Sequence, residues 1–296
     1  MQILDGRTAP IDSIVFSPCG RWLAAGGFGG ADLWDTANPT AMPKELPLCW
    51  NLAFRPNGEL FYGQLSHTNT TCEWFLVDPE QFKPRSVGEQ FRALVMAPDG
   101  EWFIGVGQQQ TTLESLRFDE QGRLVKKPPR GPDSPVSDIL LGAFTPDGTL
   151  IATIETQSGY PVPVVVIRIT RTFDRRVATT TYHQPLQLMF SPDGLRLLVR
   201  AAASVACYEM WNLKQKPRKI VNPSRKHFVS MAVHPEGKLL TVDNDALVRV
   251  WDIATLTHVR TVEWNIGKLY AVAASPDGTR AAVGSHTGKV LVWDWD

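Results

Sequence analysis

Phe190-Ser191-Pro192-Asp193-Gly194, set between the apolar runs Leu188-Met189-Phe190 and Leu195-Arg196-Leu197-Leu198-Val199, is the stretch that decides the fold. Pro fixes φ and gives no N–H to a strand ladder, Asp tolerates left-handed geometry and Gly supplies positive φ. Between two β-prone runs the triplet therefore reads as a hairpin turn. The unit recurs seven times, at Pro18-Cys19-Gly20, Pro56-Asn57-Gly58, Pro98-Asp99-Gly100, Pro146-Asp147-Gly148, Pro192-Asp193-Gly194, Pro235-Glu236-Gly237 and Pro276-Asp277-Gly278. Successive prolines stand 38, 42, 48, 46, 43 and 41 residues apart, the period of a four-stranded propeller blade. Random placement of 22 Pro and 23 Gly would yield roughly 1.7 such triplets, so an in-phase series is a true repeat. Pro129-Arg130-Gly131 is a further triplet, out of phase.

A third strand follows each hairpin and ends in an aromatic or aliphatic residue, then usually Asp or Asn. Leu33-Trp34-Asp35, Val250-Trp251-Asp252 and Val292-Trp293-Asp294 are the clearest ends, with Met210-Trp211-Asn212, Leu76-Val77-Asp78 and Arg117-Phe118-Asp119 as weaker versions. A fourth strand fills the remainder, as in Thr257 to Glu263 or Val177 to Thr181. The pattern predicts an all-β chain, a seven-bladed β-propeller of four-stranded antiparallel blades. One domain over residues 1–296 is expected, with repeats starting near 11, 50, 90, 136, 185, 227 and 268.

Phe190 to Gly194, Arg249 to Asp252 and Leu291 to Asp294 resemble the repeats of the WD-repeat (Trp-Asp repeat) β-propeller family, and the resemblance covers essentially the whole chain. It implies that an N-terminal strand completes the last blade: the final repeat stops at Trp293-Asp294, and Gln2 to Leu4 precede the first. Residues 1–5 would thus close the ring and remove open sheet edges. The departures are specific. There is no Gly-His pair, Gly6-Arg7 stands in its place before the first turn, three of seven repeats carry Trp-Asp, and the fourth reads Ile167-Arg168-Ile169-Thr170. Interblade packing of Trp34, Trp211, Trp251 and Trp293 is therefore expected to hold the blades in place of the family's buried polar networks, with the middle blades the divergent ones.

The rest of the composition narrows the function classes. Over 296 residues, 43% hydrophobic and 20% charged content fits a globular chain, and 30 cationic against 30 acidic residues give no overall field for nucleic acid or a membrane. No signal-like segment opens the chain and no window approaches a membrane span. Cys19, Cys49, Cys72 and Cys207 form no Cys-x-x-Cys pair or framework, which fits a reducing cytoplasm. His67, His183, His227, His234, His258 and His286 show no metal-ligand spacing. No nucleophile elbow, phosphate loop or dinucleotide fingerprint occurs, and Gly26-Gly27 with Gly29-Gly30 reads as a turn between strands. Catalytic, cofactor-binding and metal-ligating residues are accordingly expected to number none, with no cofactor.

Charge is the feature the repeat does not explain. Residues 160–227 hold twelve Lys and Arg against Asp174, Asp193 and Glu209, a net +9. Arg171, Arg175, Arg176, Lys214, Lys216, Arg218, Lys219, Arg225 and Lys226 are the candidates for an acidic-partner patch, against the plainer reading of cations protecting an outer strand edge. At the loops joining second to third and fourth to first strands, Phe28, Trp50, Phe91, Tyr160, Phe228 and Tyr270 are candidate partner contacts, or else pack between blades. Lys126 to Pro135, with four prolines, is expected to be an extended loop joining the third and fourth blades. The function expected is that of a non-catalytic scaffold for other proteins, with no membrane partner. Two readings stay open beside it: a lactonase-like hydrolase with its site at the central channel, and a nucleic-acid scaffold using the 160–227 sector. The latter is less favoured because no aromatic-basic stacking pattern accompanies the patch.

Overall fold

A computed structural model describes residues 1–6, 10–27, 29–47, 49–65, 72–91, 93–106, 113–127, 139–155, 163–170, 175–180 and 184–295. Among these are 28 strands in seven antiparallel sheets of four, and no helix. Blade one is β2 (Ser13–Phe16), β3 (Trp22–Gly27), β4 (Gly30–Asp35) and β5 (Lys44–Leu46). Blade two is β6 (Cys49–Phe54), β7 (Leu60–Leu65), β8 (Cys72–Val77) and β9 (Arg85–Phe91), and blade three is β10 (Ala93–Met96), β11 (Trp102–Val106), β12 (Leu113–Phe118) and β13 (Leu124–Lys127). Blade four is β14 (Ile139–Phe144), β15 (Leu150–Glu155), β16 (Val164–Ile169) and β17 (Arg175–Thr180). Blade five is β18 (Pro185–Phe190), β19 (Arg196–Ala201), β20 (Ser204–Glu209) and β21 (Arg218–Val221). Blade six is β22 (Phe228–His234), β23 (Lys238–Asp243), β24 (Leu247–Asp252) and β25 (His258–Glu263). Blade seven is β26 (Leu269–Ala274), β27 (Arg280–Ser285) and β28 (Lys289–Asp294), completed by β1 (Gln2–Asp5).

Each Pro-x-Gly triplet makes the turn between the first and second strands of its blade. The glycine sits at φ between 68° and 91° in all seven. Its N–H closes onto the carbonyl three residues back, as from Gly194 to Ser191 (2.9 Å) and Gly278 to Ser275 (3.0 Å). In the last blade, Gln2, Ile3, Leu4 and Asp5 pair antiparallel with Val292, Leu291, Val290 and Lys289, so the N-terminal strand closes the ring. First strands of neighbouring blades touch all the way round, including β26 against β2.

The core lies between blades. Second strands such as β15, β19, β23 and β27 each have five consecutive buried residues, because both faces pack against neighbours. Leu4, Ile14, Phe16 and Trp34 meet Ala271, Ala273 and Val292 across the closing junction. Phe61 stacks on Trp74 and contacts Phe103 across blades two and three, and Trp102 meets Phe144 edge-on between blades three and four. At about 25 cal/mol per Å2 of apolar surface, each such junction is held chiefly by hydrophobic burial.

Register corrects the expected third-strand ends. Leu23 faces Trp34, Leu239 faces Trp251 and Ala281 faces Trp293; by the same register Leu197 faces Tyr208, Phe61 faces Leu76, Phe103 faces Leu116 and Ile151 faces Arg168. Tyr208-Glu209 therefore takes the Trp-Asp place in blade five, and Leu76-Val77 and Leu116-Arg117 take it in blades two and three. Trp34, Trp251 and Trp293 are buried as expected, but Trp211 lies two residues beyond the end of β20 and is 75% exposed. The expectation that it packs between blades is wrong.

Candidate interaction surfaces

Buried polar groups show which residues hold the ring and which are free to meet something else. In blade six the indole N–H of Trp251 donates to Thr241 Oγ1 (2.9 Å), Arg249 pairs with buried Asp243, and Asn222 Nδ2 donates to Asp243 Oδ2 (3.0 Å). In blade four Arg168 stands at the tryptophan place. Its Nη1 donates to Thr153 Oγ1 (2.9 Å), the residue equivalent to Thr241, and the guanidinium pairs with Glu155 through Nη1 and through Nη2 (3.0 Å). Thr153 Oγ1 also donates to Glu155 Oε1 (2.5 Å). Buried polar networks thus persist, against the expectation that aromatic packing replaces them. The fourth blade keeps its network by changing the donor from an indole to a guanidinium, which brings a charge and so needs the carboxylate.

Between blades five and six, Arg200 Nε donates to Gln187 Oε1 (3.1 Å) and Nη1 to the Phe228 carbonyl (2.8 Å). Gln187 in turn accepts from the Met231 N–H (3.0 Å) and donates to its carbonyl (2.8 Å), clasping the next blade's first strand. Burial lowers the Arg200 pKa to about 10, and its acceptors are neutral oxygens. His234 is fully buried, hydrogen-bonded to the Gly278 carbonyl (3.1 Å) and stacked on Trp295 at 4.0 Å, so it holds the turns of blades six and seven. Burial shifts its pKa downward. Cys207 is buried, with its thiol pKa pushed up to about 11 by desolvation, while Cys19 is exposed. Among the described residues no three His, Cys, Asp or Glu side chains gather as a metal site would require.

The candidate contact aromatics do not form one group. Phe28 and Tyr160 lie outside the described residues; Trp50 and Phe91 fall in the backbone of β6 and β9, with side chains outside them. Phe228 is 1% exposed and packs with Met231, Leu239 and Trp251, so it belongs to the core and offers no partner contact. Tyr270, near the start of β26, is half-buried and keeps an accessible edge.

The basic candidates divide by position. Arg171 lies outside the described residues, and Arg175 and Arg176 open β17, their side chains likewise outside. Lys214 and Lys216 lie on the loop from β20 to β21, Arg218 and Lys219 on the outer strand β21, and Arg225 and Lys226 on the loop leading to β22; all six are exposed. The two loops sit at opposite ends of the blade, because β21 runs from one to the other. Arg218 Nη2 is tied to Glu209 (2.9 Å) and to the Ala254 carbonyl (3.1 Å), a contact that reaches blade six. Trp211, on the same loop as Lys214 and Lys216, is the exposed aromatic that sequence reasoning assigned to the core. Its offset from the Trp-Asp place was the available signal.

The family described as WD domain, G-beta repeat matches residues 1–32, 217–252 and 256–294. No curated protein sequence matches. Among solved structures, a Kuenenia stuttgartiensis hydrazine synthase chain is similar at 14% identity and a TM-score of 0.75, covering 99% of this chain and 98% of that one. The Myceliophteria thermophila Cps50 (Swd1) β-propeller domain is similar at 14% identity and a TM-score of 0.74, covering 97% and 98%. At such identity the likeness is one of fold. The matched stretches include Trp251-Asp252 and Trp293-Asp294 and stop two residues short of Trp34, while Arg168, Leu76 and Leu116 at the tryptophan place fall within the unmatched residues 33–216. With its turns in phase and its ring closed by the first strand, the chain is a seven-bladed β-propeller that matches the WD-repeat family over those three stretches.

Proposed function

We propose that the chain is a non-catalytic platform for protein–protein interaction. What supports this is the use of its polar groups. Arg168, Glu155, Arg249, Asp243, Arg200 and Gln187 are engaged in joining strands and blades, while the exposed side chains of Lys214, Lys216, Lys219, Arg225, Lys226 and Trp211 lie on loops and an outer edge. Surface of that kind, displayed on a rigid ring, is suited to binding, and WD-repeat propellers generally work this way. The two structural neighbours illustrate why fold alone does not choose: one is a hydrazine synthase chain and the other a β-propeller domain.

The test is purification of the tagged chain from its native cells, with and without nuclease, followed by mass spectrometry. Stable partners that survive nuclease are expected. Loss of every partner on nuclease treatment would transfer the reading to nucleic acid. Turnover of a small molecule by the purified chain, abolished by a substitution at the central channel, would replace the platform with the hydrolase.

A further inference from the structure

On the platform reading, we infer that the Pro-x-Gly end of blade five is a docking site for an acidic segment of a partner protein, with Trp211 as its apolar anchor and Lys214 and Lys216 as its carboxylate-binding rim.

Trp211 is out of place for a core residue. Trp22, Trp34, Trp74, Trp251 and Trp293 are all at or below 7% exposed, against 75% for Trp211. Tyr208 already fills the tryptophan position of this blade, so packing does not account for Trp211. By register its counterparts, two residues past Asp35 and Asp252, are Ala37 and Ala254. A second substitution points the same way. The residue after the turn glycine is Arg21, Glu59, Glu101, Thr149, Lys238 or Thr279 in six blades, and Leu195 in the fifth. Leu195 is 57% exposed, and its carbonyl accepts from the Met210 N–H (2.9 Å), which sets the turn against the loop that carries Trp211. Two apolar side chains are thus exposed together where the other blades present polar or small ones.

The loop is also preorganised. Asn212 N–H closes on the Glu209 carbonyl (3.0 Å) and Gln215 N–H on the Asn212 carbonyl (3.1 Å), so little ordering entropy is left for binding to cost. An exposed indole on an ordered loop has the character of an interface hot spot.

Charge selects the occupant. Residues 210–227 contain six Lys and Arg and no Asp or Glu. Arg218 is engaged by Glu209, while Lys214 and Lys216 are exposed on the loop that carries Trp211. The chain is neutral overall, so this basic sector is balanced by net negative charge elsewhere. A long polyanion would run onto that negative surface, whereas a short acidic segment stays on the blade, which favours a peptide over nucleic acid.

The experiment uses the full chain against an array of synthetic peptides in which Asp and Glu flank one Leu, Phe or Trp. The same array with Asn and Gln in their place and a labelled oligothymidylate serve as comparison probes. Acidic peptides are expected to bind, their neutral versions about tenfold or more weakly, with binding weakened by salt. Trp211→Ala should lose about tenfold or more. Trp211→Phe should retain most binding, Lys214→Glu with Lys216→Glu should abolish it, and the melting temperature should stay unchanged in all of them. No binding of acidic peptides, or binding indifferent to Trp211 and the two lysines, overturns the inference. So does oligothymidylate binding that depends on Trp211 with no acidic peptide bound. Native-cell purification of the same variants separates the two claims. Nuclease-resistant partners kept by both wild type and variants leave the platform standing and remove the blade-five site; wild type without such partners removes the platform.

Discussion

Arg168 at a position that holds tryptophan in three other blades changes the energetics of the fourth. A Trp indole donates one hydrogen bond to a threonine and buries the rest of its surface, as Trp251 does with Thr241. A guanidinium brings a full charge into the same place, and the matching change is Glu155 at the end of β15, where blade six has Asp243. Taking two charges out of water costs several kcal/mol each before their attraction is counted, so such a pair contributes little relative to an apolar pair yet is costly to break. Glu155→Gln is therefore expected to destabilise the chain by about 3–5 kcal/mol, seen as a lower urea midpoint, because Arg168 is left charged and buried. Arg168→Met combined with Glu155→Leu should recover most of that loss. If Glu155→Gln costs less than about 1 kcal/mol, the pair does not hold blade four.

At the scale of the element, the turns carry their own pH dependence. In three blades the turn Asp accepts from a buried hydroxyl two residues back and from the backbone N–H two residues on: Asp147 from Thr145 Oγ1 (2.6 Å) and Thr149 N (3.0 Å), Asp193 from Ser191 Oγ (2.5 Å) and Leu195 N (2.9 Å), Asp277 from Ser275 Oγ (2.6 Å) and Thr279 N (3.0 Å). The Asp147 carboxyl lies below its ordinary range, the Thr145 hydroxyl being the leading cause. For Asp193 and Asp277, burial pushes the pKa up, but hydrogen bonding, led by Ser191 and Ser275, outweighs it and leaves both low. A depressed folded-state pKa stabilises the fold fully above the unfolded value near 3.9 and loses that contribution as pH falls through the folded value. Urea stability should therefore decline below about pH 4. The triple variant Asp147→Asn, Asp193→Asn, Asp277→Asn should be less stable at neutral pH and show a flatter acid limb; an unchanged limb would place the acid sensitivity elsewhere. These turns were legible because their chemistry is local, with Pro, Asp and Gly specifying the backbone by themselves. The third-strand ends were not. Met210-Trp211-Asn212 looks more like Trp-Asp than Tyr208-Glu209 does, and residue type outweighed the offset from the turn glycine that the pairing of Arg196 with Glu209 makes decisive. Phe228 was misread for a related reason: whether an aromatic at a strand start turns outward or into the next blade is decided by that blade, here through Met231 and Trp251. The basic sector was legible as a charge count, but its division between two ends of blade five depends on where β21 starts and stops.

For the whole molecule, the decisive contact is the one that turns an array into a ring. β1 is only four residues long and supplies the outer strand of blade seven from the opposite end of the chain. Leu4, 2% exposed, is its one buried side chain and packs in the cluster shared by blades one and seven. Burial of a leucine contributes about 2 kcal/mol, and each ladder hydrogen bond adds about 1 kcal/mol. Deleting residues 1–5 is thus expected to remove several kcal/mol, which for a chain of this size lowers the melting temperature by on the order of 10 °C. It also bares the backbone edge of β28, a long apolar strand reading Lys-Val-Leu-Val-Trp-Asp with four buried side chains at its centre. An uncovered edge of this composition templates pairing with another copy, so the truncated chain should elute as concentration-dependent oligomers, and a synthetic peptide of residues 1–6 added in excess should return it to monomer size. Leu4→Ala separates the two effects: it should lower stability without association, because the backbone ladder still covers the edge. Association of Leu4→Ala at the same concentration would mean that side-chain burial, rather than the hydrogen-bonded strand, keeps the ring closed.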